Sequence, residues 1–393
     1  MINYDELLCR TARDIKPSGI RKFFDIAAEM EDVISLSVGE PDFKTPWHIR
    51  EAGIDSLEKG RTRYSPNSGF TDLCREISNY YDRRFNCKYD PLHEVLVTVG
   101  GSEAIDIAMR ALLEPGDEIL IPEPCFVCYE PLARLTYAVP VALETREEDN
   151  FRLTPEILRA AITPKTKMLI LPYPNNPTGA VMRRSDLEAI ADVLRDTNII
   201  VLSDEIYAEL TYGETKHVSF AEIDGMKERT IVISGFSKSY AMTGWRLGYA
   251  LAPAPICSTM RKLHQYAIMC APTTAQYAAI EALRNGDNDI EEMRKEYDMR
   301  RRLIVNSFRS LGFSCFEPEG AFYIFPSIKH TGMTSQEFCE QLLRTKHVAV
   351  VPGDAFGECG EGFIRVSYSY SIKHITEALS RIDDFISEKG LKK

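Results

Sequence analysis

The middle of the chain alternates short apolar runs with longer amphipathic stretches. Ile199–Ser203 is almost entirely apolar, and Ser185–Arg195 combines a polar start with an apolar stripe. Continuous apolar strands separated by helices are typical of a parallel sheet that is covered on both faces. The pattern predicts strands at Glu94–Val99, Asp117–Ile121, Lys167–Leu171, Ile199–Ser203, Thr230–Ser234 and Gly248–Leu251, and helices at Glu103–Leu113 and Ser185–Arg195. The predicted fold class is α/β, with a mostly parallel sheet sandwiched by helices.

The last third of the chain has a different character, because helices and short strands no longer alternate regularly. A charged helix is predicted to begin near Asp289 and to run past Arg302. It is followed by predicted elements at Phe322–Phe325, Ser335–Arg344, Val348–Val351, Phe363–Ser367 and Lys373–Glu388. We predict a large domain over residues 45–285 and a smaller, discontinuous α+β domain formed by residues 1–44 and 286–393.

Charge and composition exclude several classes of partner. The 393 residues include 47 basic and 58 acidic side chains, for a net charge of -11, which argues against a nucleic-acid or anionic-membrane surface. No apolar run approaches the ~20 residues of a membrane span. The first residues carry acids where a signal peptide carries bases, so we expect a cytoplasmic protein.

The ten cysteines are scattered, and they predict no metal site. Cys125 and Cys128 form the single C-x-x-C pair, and a structural zinc would need a second pair of ligands. Cysteines spread through a cytosolic chain are usually reduced and behave as small hydrophobic residues.

Candidate chemistry follows four of the predicted strands. Their ends carry Gly100-Gly101-Ser102, Asn175-Asn176-Pro177-Thr178-Gly179, Asp204-Glu205-Ile206-Tyr207, and Ser237-Lys238 with Arg246 shortly after. In open α/β sheets, ligands bind beyond the carboxyl ends of the strands. A lysine can bond to an aldehyde, a carboxylate can keep a pyridinium protonated, and a helix N-terminus with an arginine can hold a phosphate. Pyridoxal 5′-phosphate has all three groups.

With these motifs in order along nearly the whole chain, the sequence resembles the fold-type I, class I/II pyridoxal-phosphate aminotransferases, in the aspartate/aromatic branch. The motifs are Gly39–Phe43, Tyr64–Pro66, Gly100–Ala104, Asn176–Gly179, Asp204–Tyr207, Ser237–Gly248 and Phe363–Arg365. The resemblance implies transfer of an amino group between an L-amino acid and a 2-oxo acid, such as 2-oxoglutarate, by a ping-pong route. It also implies a homodimer.

The resemblance implies a role for each cofactor-binding residue. Lys238 would bond to the cofactor aldehyde and then move a proton, and Asp204 would pair with the pyridinium nitrogen. Tyr207 and Asn176 would bind the ring 3′-oxygen. The remaining residues are those expected at the phosphate (Gly101, Ser102, Glu103, Ala104, Ser237 and Arg246), the aromatic stacked on the ring (Phe126) and the tyrosine that reaches the neighbouring subunit's phosphate (Tyr64). Read without the resemblance, Lys238 would be a surface lysine, Asp204 a helix cap and Asn176 a turn residue.

Substrate residues are implied in the same way. Arg365 would bind the α-carboxylate, since a guanidinium forms two parallel hydrogen bonds to a carboxylate. Gly39 would contribute a backbone contact, and Ile20 would close over the substrate. Relatives that prefer acidic substrates often carry lysine at the position of Ser102, so aspartate, aromatic and broader substrates all stay open.

Two alternatives to an aminotransferase remain at this stage. A pyridoxal-phosphate C–S β-lyase on the same fold would share Lys238, Asp204 and Arg365. An effector-sensing domain of a transcription regulator would need an N-terminal DNA-binding domain, for which the ~45 residues before the core give little room. Independently of these alternatives, if Phe126 faces the cofactor then Cys125 and Cys128 border the site, and their oxidation would inhibit the enzyme.

Overall fold

The computed structural model describes residues 2–17 and 30–391. Its strands are β1 Ile34–Ser35, β2 Val95–Thr98, β3 Glu118–Glu123, β4 Val139–Glu144, β5 Thr166–Leu171, β6 Ile200–Asp204, β7 Thr230–Gly235, β8 Gly248–Leu251, β9 Tyr323–Ile324, β10 Val348–Ala349, β11 Val351–Pro352 and β12 Ile364–Ser367. Its α-helices are α1 Tyr4–Leu7, α2 Arg10–Asp14, α3 Trp47–Glu58, α4 Thr71–Phe85, α5 Gly100–Leu112, α6 Tyr129–Leu135, α7 Pro155–Ala161, α8 Arg184–Leu194, α9 Ala254–Ala267, α10 Thr273–Asn285, α11 Asp287–Ser310, α12 Ser335–Lys346 and α13 Ile372–Glu388.

A seven-stranded sheet with the order β2-β8-β7-β6-β5-β3-β4 forms the centre of the fold. The strands from β7 through β6, β5 and β3 to β4 are parallel, whereas β8 runs antiparallel to both β7 and β2. The sheet is therefore mostly parallel, as the apolar runs predict. The carboxyl ends of its parallel strands meet at one edge, where the predicted chemistry is placed.

Apolar side chains of successive strand residues pack against helices on opposite faces of this sheet. On one face, Ile105 of α5 and Met260 of α9 join the cluster that contains Ile170 and Leu202. On the other face, α8 packs on Leu169 and its neighbours, and α4 and α10 pack on the β2–β8–β7 end. The predicted helical layers are present on both faces.

A second apolar core lies in the C-terminal part of the chain. Helices α11, α12 and α13 enclose β9, β10 and β12 in one cluster, which also includes Ile34 and Leu36 from the N-terminal part. Strand β1 pairs in parallel with β10, so that Ile34 lies opposite Val348. Residues before and after the central sheet thus share a core.

Some elements depart from the predictions. Strand β4 was not predicted because it is a partly exposed edge strand with Pro140 in it, and its side chains give no continuous apolar run. The predicted single strand Val348–Val351 divides into β10 and β11, which pair with different sheets. Helix α5 begins at Gly100, three residues before the predicted start at Glu103.

Candidate active site

A cavity of about 380 Å³ lies at the carboxyl edge of the central sheet, where it meets the C-terminal part of the chain. It brings together most of the predicted site residues, which come from widely separated segments. Among its lining residues are Gly39, Gly101, Ser102, Phe126, Asn176, Asp204, Tyr207, Ser237, Lys238, Arg246 and Arg365. The cavity therefore combines two cationic groups, an amine and a carboxylate in one enclosed space.

One end of the cavity has the features of an anion site. Helix α5 begins there at Gly100, whose φ of +77° favours glycine. A Cβ on Gly100 would lie 2.8 Å from Arg246 Nη2, so the guanidinium rests directly against the first turn of the helix. The N–H groups of a first helical turn and a guanidinium fork are both suited to a phosphate.

Close packing of strand β8 holds this helix start in place. A Cβ on Gly248 would lie 2.6 Å from both Gly100 C and Gly101 N, so only glycine allows the strand to approach. Arg246 itself has a left-handed backbone with φ +53° and donates from Nη1 to the Thr243 carbonyl at 3.0 Å. The turn before β8 thus aims the guanidinium at the helix.

Lys238 lies three residues beyond the end of β7, and its amine points into the cavity. Its Nζ donates to the Gly39 carbonyl at 2.6 Å. The pKa of Lys238 is lowered to about 8, chiefly by burial and also by the positive charges of Arg365 and Arg246, against the opposing carboxylates of Glu40 and Asp204. An amine with this pKa is partly neutral near physiological pH, which is the state that attacks a carbonyl carbon.

Asp204 ends strand β6 and makes two contacts with different consequences. Its Oδ1 accepts from the Ile206 N–H at 3.2 Å, which is the local turn contact, and its Oδ2 accepts from the Tyr129 hydroxyl at 2.7 Å. Burial raises the pKa of Asp204 to about 6. A buried carboxylate facing a cavity is stabilised by a cation placed beside it, such as a protonated ring nitrogen.

The far side of the cavity is built around Arg365. This buried residue donates from Nη1 to Asn176 Oδ1 at 2.9 Å and from Nη2 to the Ser37 carbonyl at 2.5 Å. Its Nε is buried and has no hydrogen-bond partner among residues 2–17 and 30–391. The guanidinium lies between the rings of Tyr323 and Phe356, 4.6 and 4.8 Å from their centroids. A held guanidinium with an unused donor is suited to an incoming carboxylate.

Asn175 and Asn176 have different roles in this turn. The turn is stabilised by Asn175, whose Oδ1 accepts from the Thr178 N–H at 3.1 Å and from its hydroxyl at 2.8 Å. Asn176 takes no part in these bonds and contacts Arg365 instead. The structural role in the turn, which the sequence also allowed for Asn176, is therefore performed by Asn175. The Asn176 amide faces the cavity.

Three of the predicted residues that the structure describes do not line the cavity. Glu103 turns away, because its carboxylate accepts from the Val99 N–H at 2.5 Å and lies 2.6 Å from His264 Nδ1. The Ala104 side chain is buried in the core. Tyr64 is 80% exposed on the outer surface. Ile20 lies outside the described residues. Glu103 and Ala104 can therefore contribute backbone N–H groups to a ligand at the helix start, but not their side chains.

Several lining residues were not predicted, and three of them form hydrogen bonds at the site. Tyr129 bonds to Asp204, Tyr323 bonds to Tyr207, and Glu40 accepts from the Thr243 hydroxyl. Tyr129 follows Phe126 by three residues at the start of α6, but along the sequence it resembles any core aromatic. Glu40 lies inside the Gly39–Phe43 motif, and that position is a signal in the sequence that points to the site.

The cysteine hypothesis is not favoured by the surroundings of the two thiols. Cys125 is buried, Cys128 is partly buried, and burial raises the pKa of both thiols well above the ordinary value. Oxidation and alkylation proceed through the thiolate. A raised pKa disfavours the thiolate in both groups, and although Phe126 lines the cavity, the effect of their oxidation on activity stays a prediction.

Comparison with known proteins identifies the family. The family model for aminotransferase class I and II matches residues 31–382. The chain belongs to the class I and II aminotransferases. It is 54% identical to a putative aminotransferase, YugH, of Bacillus subtilis (strain 168), over 95% of this chain and 97% of the relative. It is 47% identical to an aspartate aminotransferase of Pyrococcus abyssi, over 96% of this chain and 97% of the relative.

A solved structure supports the same conclusion. The aromatic aminotransferase of Pyrococcus horikoshii OT3 superposes with a TM-score of 0.90 at 44% identity, covering 95% of this chain and all of that one. The predicted fold type, family and enzyme class are confirmed: this is an aminotransferase that exchanges an amino group between an L-amino acid and a 2-oxo acid. The C–S β-lyase alternative is not favoured, because these relatives are aminotransferases.

Two further findings concern the described part of the aminotransferase. Within residues 2–17 and 30–391, every helix is too short or too polar to cross a membrane. Over the same ranges, no group of three or more histidine, cysteine and acidic side chains is arranged to hold a metal ion. The cytoplasmic location and the metal-free site stay predictions.

Proposed function

We propose that this aminotransferase binds pyridoxal 5′-phosphate in the 380 Å³ cavity. The observation that carries the proposal is the joint placement of Lys238, Asp204 and Arg246 around one space, with the first turn of α5 at its end. The residues fit the group, because the Arg246 guanidinium lies against the first turn of α5, and backbone N–H groups at a helix start together with a guanidinium suit a phosphate. When bound, the cofactor supplies an aldehyde carbon and an electron-withdrawing ring.

Lys238 performs two tasks in this proposal. Its Nζ, with a pKa lowered to about 8, is the amine that bonds to the cofactor aldehyde. When the amine is free, Nζ would carry the proton between the substrate Cα and the cofactor carbon. The Gly39 carbonyl, 2.6 Å from Nζ, orients the amine while it is free.

Asp204, Tyr207 and Asn176 set the charge of the ring. Asp204, oriented by Tyr129, holds the ring nitrogen in its protonated form. The hydroxyl of Tyr207 and the amide nitrogen of Asn176 donate to the ring 3′-oxygen. Because Asn176 Oδ1 already accepts from Arg365, its Nδ2 is the end left for the cofactor. Phe126 covers one face of the ring, and Ser237 and Ser102 join Arg246 at the phosphate.

Arg365 binds the α-carboxylate of the amino acid. Its buried, unpartnered Nε and its fixed orientation supply a fork that places the substrate Cα beside Lys238. Gly39 lies at the same side of the cavity and adds a backbone contact. Ile20 stays a prediction for closing over the substrate.

The proposed reaction is a ping-pong exchange with 2-oxoglutarate as acceptor. The relatives named above include an aspartate and an aromatic aminotransferase. Ser102 lines the cavity and carries no charge to pair with a distal carboxylate. We therefore propose a broad preference that includes aromatic side chains rather than a dedicated aspartate enzyme.

We also propose a homodimer in which Tyr64 reaches the partner's phosphate site. Tyr64 is 80% exposed and Tyr266 is 89% exposed. Asn67 Nδ2 donates to the Met269 carbonyl at 2.8 Å, which brings the Tyr64 loop beside the Tyr266–Met269 segment. Large exposed aromatic side chains on one surface are characteristic of a protein interface.

The domain division is part of the proposal as well. A large domain over 45–285 contains the central sheet, and residues 1–44 with 286–393 form the small one. The pairing of β1 with β10 supports the discontinuous boundary. Helix α2, however, packs against α6 of the central layer rather than against the C-terminal core.

One experiment tests the function directly. The purified protein is incubated with pyridoxal 5′-phosphate, and its visible spectrum is followed while L-amino acids are added one at a time. We expect conversion to the amine form of the cofactor, reversed by 2-oxo acids, with aromatic amino acids among the best donors. Lys238→Ala should abolish turnover, and wild-type turnover by that variant would overturn the mechanism.

A further inference from the structure

Tyr323 contacts three of the residues that we assign to the cofactor and the substrate, and it has no assigned role of its own. It lies on β9, is 1% exposed, and pairs with β12 opposite Ser367, two residues from Arg365. Its hydroxyl is 2.8 Å from the Tyr207 hydroxyl, and either one can donate in the free protein. Its ring covers the Arg365 guanidinium at 4.6 Å.

The third contact explains why Gly39 is glycine. A Cβ on Gly39 would lie 2.1 Å from the Tyr323 hydroxyl oxygen. The Tyr323 hydroxyl thus occupies the space that a side chain on residue 39 would fill. Gly39 is also the residue whose carbonyl accepts from Lys238 Nζ. The hydroxyl is therefore enclosed between Gly39 and Tyr207, and its one hydrogen-bond partner among the described residues is Tyr207.

We propose that Tyr323 is a positioning residue that donates its hydroxyl proton to the Tyr207 oxygen and so directs the Tyr207 proton to the cofactor's 3′-oxygen. The inference rests on the proposed cofactor site. A hydroxyl has a single proton, so Tyr207 can donate to the cofactor only when it accepts from Tyr323. Chains of hydrogen bonds strengthen one another, so the donor from Tyr323 makes Tyr207 the better donor.

The ring of Tyr323 has a separate role. A guanidinium over an aromatic face is attracted by it, and burial strengthens this attraction. Together with Phe356, the ring holds the Arg365 plane in place for the substrate carboxylate. The hydroxyl and the ring can therefore be tested with different substitutions.

The hydroxyl is tested by titrating the visible absorbance of the holoenzyme, which reports the proton on Lys238 Nζ once that atom is bonded to the cofactor. A donor to the 3′-oxygen withdraws electron density and makes this proton easier to lose. We expect Tyr323→Phe to raise the titration midpoint by about half a pH unit. Tyr207→Phe should raise it further, and the double variant should match Tyr207→Phe alone.

Tyr297→Phe is the matched control, because Tyr297 is a buried phenol of the same apolar cluster whose hydroxyl has no hydrogen-bond partner in the described part of the chain. Its midpoint should equal that of the wild type. An unchanged midpoint in Tyr323→Phe, or a double variant whose shift is the sum of the two single shifts, would overturn the relay. A wild-type protein that binds no cofactor would instead overturn the proposed function, and the inference with it.

The ring is tested by comparing Tyr323→Leu with Tyr323→Phe. Loss of the aromatic face should raise KM for the amino acid about 3- to 10-fold. Tyr323→Phe keeps the face, so its KM should stay at the wild-type value while its titration midpoint moves. Equal KM values for Tyr323→Leu and the wild type would overturn the role of the ring.

Discussion

At the scale of single residues, burial shifts two charges of the cavity in opposite directions. Asp204 has a pKa raised to about 6 and Lys238 a pKa lowered to about 8, with burial the largest cause in both. Both groups are therefore less stable in their charged forms before a ligand arrives. A cofactor that places a pyridinium beside Asp204 and an aldehyde beside Lys238 removes the free-energy cost of burying each charge. Cofactor binding is therefore expected to stabilise the folded protein.

Asp204→Asn is expected to stabilise the cofactor-free protein while weakening its hold on the cofactor. The folded pKa is raised, so the ionised carboxylate costs folding free energy above about pH 6, and that cost disappears as the pH falls toward about 4. At pH 7.5 the variant should gain up to about 3 kcal/mol in the free energy of unfolding. Urea denaturation of the cofactor-free proteins at pH 7.5 and pH 5 measures this gain.

The gain should shrink at the lower pH, and with the cofactor bound the wild type should be the more stable protein. Asp55→Asn is a suitable control, since Asp55 is an exposed carboxylate paired with Lys59, and its loss should change stability by no more than about 0.5 kcal/mol. A cofactor-free Asp204→Asn protein that is less stable than the wild type at both pH values would contradict the cost assigned to Asp204.

At the scale of elements, the strands that the sequence predicts well are the central ones, which are buried on both faces of the sheet. β6 and β7 lie in the middle of the sheet and are mostly apolar and almost entirely buried, so their runs could be located within a residue or two. β4 could not be predicted, because an edge strand with a proline is stabilised by one neighbour alone. Likewise, the division of Val348–Val351 depends on partners distant in the sequence.

The same distinction applies to the site. Lys238, Asp204 and Arg246 could be predicted because each follows a strand or lies in a recognisable motif. Tyr129 and Tyr323 could not, because each acts through a partner more than 70 residues away. Tertiary contacts that join distant segments leave no periodic or local signal in the chain.

Gly248→Ala tests whether the approach of β8 to α5 builds the phosphate site. The new methyl group would meet Gly100 and Gly101 backbone atoms at 2.6 Å, so the strand or the helix start must shift. We expect the dissociation constant of pyridoxal 5′-phosphate to rise at least about 10-fold, with a loss of stability of about 1–3 kcal/mol. Fluorescence titration of the cofactor-free protein measures the first, and urea denaturation the second.

Gly244→Ala is the matched control for this substitution. Gly244 lies in the turn that carries Arg246, but a Cβ there meets nothing within 4 Å. Cofactor affinity and stability should both stay close to those of the wild type. Equal cofactor affinity in the two variants would show that the close approach of β8 is not needed for binding.

At the scale of the whole molecule, the net charge of -11 hides a local concentration of positive charge. The cavity lies where the central sheet meets the C-terminal core, and Lys238, Arg246 and Arg365 converge on it from separate segments. Its anionic ligands therefore meet a concentration of positive charge in an enclosed space, which favours small anions over extended polyanions. The exposed Tyr64 lies in a loop with the exposed Arg61 and Arg63, and aromatic and arginine side chains are both enriched at contacts between protein chains.

A mixing experiment tests whether the proposed dimer shares its sites. Lys238→Ala and Tyr64→Ala proteins are each expected to be nearly inactive alone. In a hybrid dimer, the subunit with intact Lys238 receives intact Tyr64 from its partner, whereas the other site carries both defects. Random exchange makes about half of the dimers hybrid, so activity should recover to about a quarter of the wild-type value. Recovery should follow the time course of subunit exchange, measured with differently tagged chains. If hybrids form and activity does not return, Tyr64 acts within its own subunit or serves another purpose.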